Sequence, residues 1–148
     1  MSVKFTGVVL VLDRPTHNGR VYPRSEIEAA VKRAQTVISR GNLVGEADPD
    51  YDYDGDLESI AINSPRVTHV VDRLWVEQTP EGPVLMGEIH TLDPITHEAF
   101  PLTPFAELGL SKGDLVMRPR GTGMIDDEGI VSEYRLLAID LLPKESAA

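Results

Sequence analysis

The chain has 148 residues, 14 basic and 24 acidic side chains for a formal charge of −10, and no cysteine. That length fits one domain, 1–148, able to bury a core without staples, and the missing cysteines exclude disulfides, thiolate catalysis and thiolate metal ligands. A duplex-binding protein needs clustered Lys and Arg against phosphates, a membrane span needs about 20 apolar residues and a secretory leader needs more than the short apolar run Gly7 to Leu12; none of these is read here, and the chain is expected to be made in the cytoplasm.

In chain order, Val3 to Leu12 is rich in Val, Leu and Phe and predicts a strand buried on both faces. The turn-rich stretch Asp13 to Arg20 follows, with Asn18-Gly19 suited to positive φ. Ser25-Glu-Ile-Glu28 has the form of a capping box. Ile27, Val31, Ala34 and Ile38 then recur at helical spacing, and Gly41 can end the helix, predicting a helix over about 25–40. Leu43 to Ala47 reads as a short strand and Asp48 to Glu58 as an acidic loop. Val67 to Gln78 and Val84 to Leu92, separated by Thr79-Pro-Glu-Gly82, predict a hairpin. Thr103-Pro104 starts a second, short helix ending near Gly109 or Gly113. Leu115 to Met117, Gly123 to Ile125 and Ile130 to Leu142 supply further β segments, and the tail 143–148 is expected to fray. The pattern predicts α+β, a mostly antiparallel β-barrel-like sheet with two flanking helices.

Four separated segments together resemble the bacteriophage prohead (head-maturation) protease family. Asn18-Gly-Arg-Val-Tyr-Pro-Arg24 precedes the first helix, as a similar segment does in the family. Gly45-Glu-Ala-Asp-Pro49 stands where the family carries Gly-Glu-Leu-(Asp/Asn)-His-Pro. Val67 to Trp75, a turn and Val84-Leu-Met-Gly-Glu88 match its central hairpin. Val116-Met-Arg-Pro-Arg-Gly-Thr-Gly123 is similar to its Gly-Val-Ser-Ser-Arg-Gly-X-Gly segment. The resemblance covers about residues 5–142 and implies a fold like the herpesvirus assemblins, a β-barrel with flanking helices. Active family members cut scaffold and capsid proteins inside the immature head.

The catalytic positions depart from the family. Arg118 occupies the place of the nucleophilic serine and Pro119 that of the next serine. Arginine stays protonated and offers no nucleophile, and proline has no N–H for an oxyanion. Asp48 runs directly into Pro49, so the family's histidine is absent, while Arg120, Gly121 and Gly123 remain. The degenerate motif positions are therefore Asp48, Pro49, Arg118, Pro119, Arg120 and Gly121. A rebuilt pair would have to come from His17, His69, His90 or His97 and serines such as Ser64, Ser111 or Ser132.

Arg118 and Arg120, with Arg135, could form a basic spot for a carboxylate on a neighbouring subunit. The alternative is a solvated strand, or pairing with Asp126, Asp127 or Glu128. Asp50-Tyr-Asp-Tyr-Asp-Gly-Asp56 begins like a calcium loop, but its twelfth position is Ala61 instead of the bidentate Glu, so it is no EF-hand. Asp50, Asp52, Asp54 and Asp56 still offer oxygen ligands for Ca²⁺ or Mg²⁺. Tyr51 and Tyr53 would equally suit a protein contact, and a solvated loop explains the same residues.

With no cofactor required and no catalytic residue assigned, the expected function is that of a non-catalytic phage virion structural protein. It would act in capsid decoration, cementing or head assembly, in multiple copies against the major capsid protein or other virion proteins. The alternatives are a divergent active head-maturation serine protease, a tail or baseplate component, or a binding module with no viral role.

Overall fold

A computed structural model describes residues 3–16, 18–47, 67–92, 110, 112–113 and 115–143. The elements are β1 (Lys4–Val11), α1 (Arg24–Ser39), β2 (Val44–Glu46), β3 (Val67–Thr79), β4 (Gly82–Thr91), β5 (Leu115–Ile125) and β6 (Val131–Pro143). One sheet has the order β1-β4-β3-β2 and a second consists of β5 and β6; every ladder is antiparallel. The α+β class and the central hairpin stand as predicted. The sheets are not closed into a barrel: among the described residues, the one backbone bridge from the end of β2 to β6 is the parallel pair Ala47–Leu141. The second expected helix begins outside the described residues.

Val9, Leu12, Ile27, Leu43, Val71, Leu85, Ile89, Met117, Tyr134, Ile139 and Leu141 belong to one apolar cluster between the two sheets and α1. β1 is not buried on both faces as its composition suggests. Lys4, Thr6 and Val8 face solvent, because β1 is a sheet edge whose outer face nothing covers among the described residues. A bulge between Val8 and Leu10 then lets Val9 and Leu10 both turn inward.

α1 begins one residue earlier than predicted, and the Ser25 capping box does not form. Pro23 is the N-cap, with φ −61° and no side-chain cap. The Arg24 N–H instead donates to Asp13 Oδ1 at 2.7 Å, so a residue from the preceding turn satisfies a helix-end donor. The C-terminal end is as predicted: Gly41 has φ 70° and its N–H donates to the Ile38 carbonyl.

The largest departure is at β5. The sequence suggests two short strands flanking a polar Arg-Pro-Arg interruption, whereas residues 115–125 form one strand paired throughout with β6. Arg120 does not interrupt the strand because its charge is met inside the protein, as described next. Pro119 is tolerated because β5 is an edge of its two-stranded sheet, where a missing N–H breaks no second ladder.

Candidate functional site

The segments that carried the family resemblance meet in space. Glu46 ends β2, Arg120 lies in β5 and Asp140 in β6, and all three are almost fully buried. Arg120 Nε donates to Asp140 Oδ2 at 2.8 Å and Arg120 Nη2 to Asp140 Oδ1 at 2.9 Å, a bidentate fork. The same Nη2 donates to Glu46 Oε2 at 3.0 Å, and the Glu46 N–H donates to Asp140 Oδ1 at 3.0 Å. One guanidinium and two carboxylates thus tie the four-stranded sheet to the β5–β6 ribbon. Burial alone would disfavour the charged guanidinium. The hydrogen bond and charge of Asp140, then those of Glu46, outweigh it and raise the pKa of Arg120 above its ordinary value.

A second tie runs beside the first. His69, fully buried on β3, reaches across β2 to the Ile139 carbonyl at 2.5 Å from Nε2, and its Nδ1 lies 2.8 Å from Thr68 Oγ1. A carbonyl only accepts, so Nε2 carries the proton and Nδ1 accepts from the Thr68 hydroxyl. Burial pushes the His69 pKa down, against the opposing pull of the Ile139 carbonyl and Asp140. Gly45 makes this crossing possible: a Cβ there would overlap both the Ile139 carbonyl oxygen and His69 Nε2. Gly121 has a similar reason, since a Cβ would meet the Tyr134 ring and the Arg135 carbonyl.

The first motif packs on the same ribbon. Gly19 takes φ 79° in a turn closed by Thr16, Val21 bonds to Gly129 and Val131, and the Tyr22 ring stands edge-on to Tyr134 at 5.5 Å.

Arg118 stands opposite Asp140 and Pro119 opposite Ile139 in the β5–β6 ladder, both buried. Arg118, Arg120 and Arg135 therefore do not make one basic surface spot: Arg118 is 9% exposed and Arg120 1%, while Arg135 is open to solvent. Nor does Arg120 pair with the Asp126–Glu128 turn. Asp126 Oδ1 is taken by the backbone N–H groups of Glu128 and Ile130. Asp48, Pro49, Asp50, Tyr51, Asp52, Tyr53, Asp54 and Asp56 lie outside the described residues, as do His17, His97, Ser64 and Ser111. Of the remaining rebuilt-pair candidates, His90 Nδ1 meets Asp72 Oδ1 at 2.8 Å, and Ser132 is exposed on β6. Neither described histidine is hydrogen-bonded to a serine, and the hydroxyl on His69 belongs to Thr68, which is fully buried.

The sequence reading named no role for Glu46 or Asp140, and took His69 only as a candidate base for a rebuilt Ser/His pair. A signal existed for Asp140: a lone acid inside the apolar run Leu136 to Leu142 is a buried-pair pattern, since an acid is almost never fully buried unpaired. His69 carried none, because a strand histidine reads the same whether it faces solvent or core.

No family model and no curated protein matches this chain. Among solved structures, the capsid assembly protease gp21 of bacteriophage T4 superposes with a TM-score of 0.73 over 94% of this chain and 80% of that one, at 19% identity. The fold resembles that of a phage protease.

Proposed function

We propose that this chain is a non-catalytic structural protein of a phage head, a protease-like frame used without proteolysis. The observation that carries the reading is Arg118. In the motif register it takes the nucleophile's place, and in the ladder it lies buried opposite Asp140, next to an Arg120 already held by two carboxylates. Among the described residues, that position offers a guanidinium and no attacking oxygen. Support for the head comes from the fold likeness to a capsid assembly protease, and the expected partners are capsid proteins of the same particle.

Mass spectrometry of purified mature particles tests this. The intact chain is expected in abundance there, and the purified chain is expected to leave scaffold and capsid proteins uncut. Absence from particles together with a requirement for scaffold removal would instead establish an active protease, the activity that the T4 protein's name carries.

A further inference from the structure

We propose that the cleft between α1 and the outer end of the β5–β6 ribbon binds a partner's polypeptide segment carrying a single acidic residue beside aliphatic ones, with Arg135 taking the carboxylate and Met124 its aliphatic neighbour. The proposal stands independently of the head-protein reading. The cleft is open to solvent and has a volume of about 690 Å³ between Glu26 and Arg33 on the helix and Thr122, Met124, Ser132 and Arg135 on the ribbon. Its two helix charges are already committed. Glu26 Oε1 accepts from the Tyr134 N–H at 2.8 Å, and Arg33 Nη2 donates to the Tyr134 carbonyl at 2.5 Å.

That pair of bonds fixes a bulge. Between the pairs Thr122–Arg135 and Met124–Ser132, β6 spends one residue more than β5, and Glu133 there takes φ 53°. A non-glycine residue in the left-handed region is strained, and such strain persists where surrounding contacts over-determine it, often at binding sites. Bulges also re-aim side chains. Thr122 and Met124, two apart on β5, and their cross-strand partners Arg135 and Ser132 project from one face toward the helix.

What the cleft offers follows from those groups. The Arg135 guanidinium and the Thr122 and Ser132 hydroxyls make no hydrogen bond or ion pair with other side chains among the described residues. A guanidinium fork beside hydroxyl donors matches a carboxylate. Met124, 60% exposed, is an apolar rim that a small polar ligand would leave wet and a polypeptide would cover. Glu133, also in the lining, repels a second negative charge. The segment favoured carries one acid flanked by aliphatic residues; a polyanion is disfavoured.

The full ¹⁵N-labelled chain titrated with acetyl-Gly-Leu-Glu-Leu-Gly-amide tests this. Saturable amide shifts are expected at Thr122, Gly123, Ser132, Glu133 and Arg135. Binding should weaken about fivefold for the peptide with Gln in place of Glu and about fivefold in Arg135→Gln, the scale of one exposed charge contact. Met124→Ser, which leaves the guanidinium untouched, should also weaken it. Spectra of both variants away from the cleft should match wild type. Shifts that do not saturate, that map elsewhere, that survive Arg135→Gln, or that inorganic phosphate reproduces in full would overturn the proposal.

Discussion

Burying a guanidinium strips it of water, a cost recovered only when its partners are well aligned. Arg120 meets that condition with three side-chain bonds of 2.8–3.0 Å to Asp140 and Glu46. Removing one partner strands the other charges, so Asp140→Asn is expected to lower stability by about 3–5 kcal/mol in urea unfolding. Arg120→Lys should not substitute, because an ammonium cannot span both carboxylates with a planar fork. His69 yields a prediction of opposite chemical character. Its folded pKa lies below the ordinary 6.5, so the folded state holds it neutral while the unfolded chain takes up a proton as the pH falls. Its contribution is thus fully present above pH 6.5 and is lost progressively as pH drops below 6.5 toward the folded pKa. Between pH 7.5 and 5.5, wild type is expected to lose more stability than His69→Gln; equal losses in chemical denaturation would show that His69 does not titrate against folding.

At the scale of elements, α1 is held at its start by a residue far from it in kind. Asp13, itself at φ 61°, accepts from the Arg24 N–H, doing for the helix what a capping serine does elsewhere. Asp13→Ala should cost about 0.5–2 kcal/mol, the range for a lost cap. Asp13→Asn should stay near wild type, since asparagine keeps an accepting oxygen and tolerates the left-handed backbone. Thermal or urea melts of the two variants distinguish the cap from a mere surface charge. Along its length α1 is tied to β6 through Glu26 and Arg33, residues seven apart and thus on one face of the helix, which grip the N–H and carbonyl of Tyr134.

The described residues form two sheets and α1 that share one apolar cluster, with almost no ladder between the sheets. Its cohesion depends on the cluster, on the Glu46–Arg120–Asp140 tie and on the His69–Ile139 bond, all of which cross between sheets. The two sheets are therefore expected to unfold as one unit. Trp75, the chain's one tryptophan, reports on the four-stranded sheet. Its fluorescence and the near-ultraviolet dichroism of the Tyr22–Tyr134 contact should give coincident urea transitions. Separate midpoints would mean that the sheets are independently stable.

The sequence alone determined what depends on neighbours along the chain: the spacing that makes α1, the glycine that ends it and the alternation and turn that make the β3–β4 hairpin. It also held the motif residues Gly45, Glu46, Arg120 and Gly121 without their reason. That reason is tertiary. Burial decides whether Arg118-Pro-Arg120 is a polar loop or an inner strand, and burial depends on Glu46 and Asp140, which lie 74 and 20 residues from Arg120. Local pattern cannot encode a charge met from so far away; a comparable distance hid the bond of His69 to Ile139, and even the 11 residues between Asp13 and Arg24 lie beyond the reach of a capping motif.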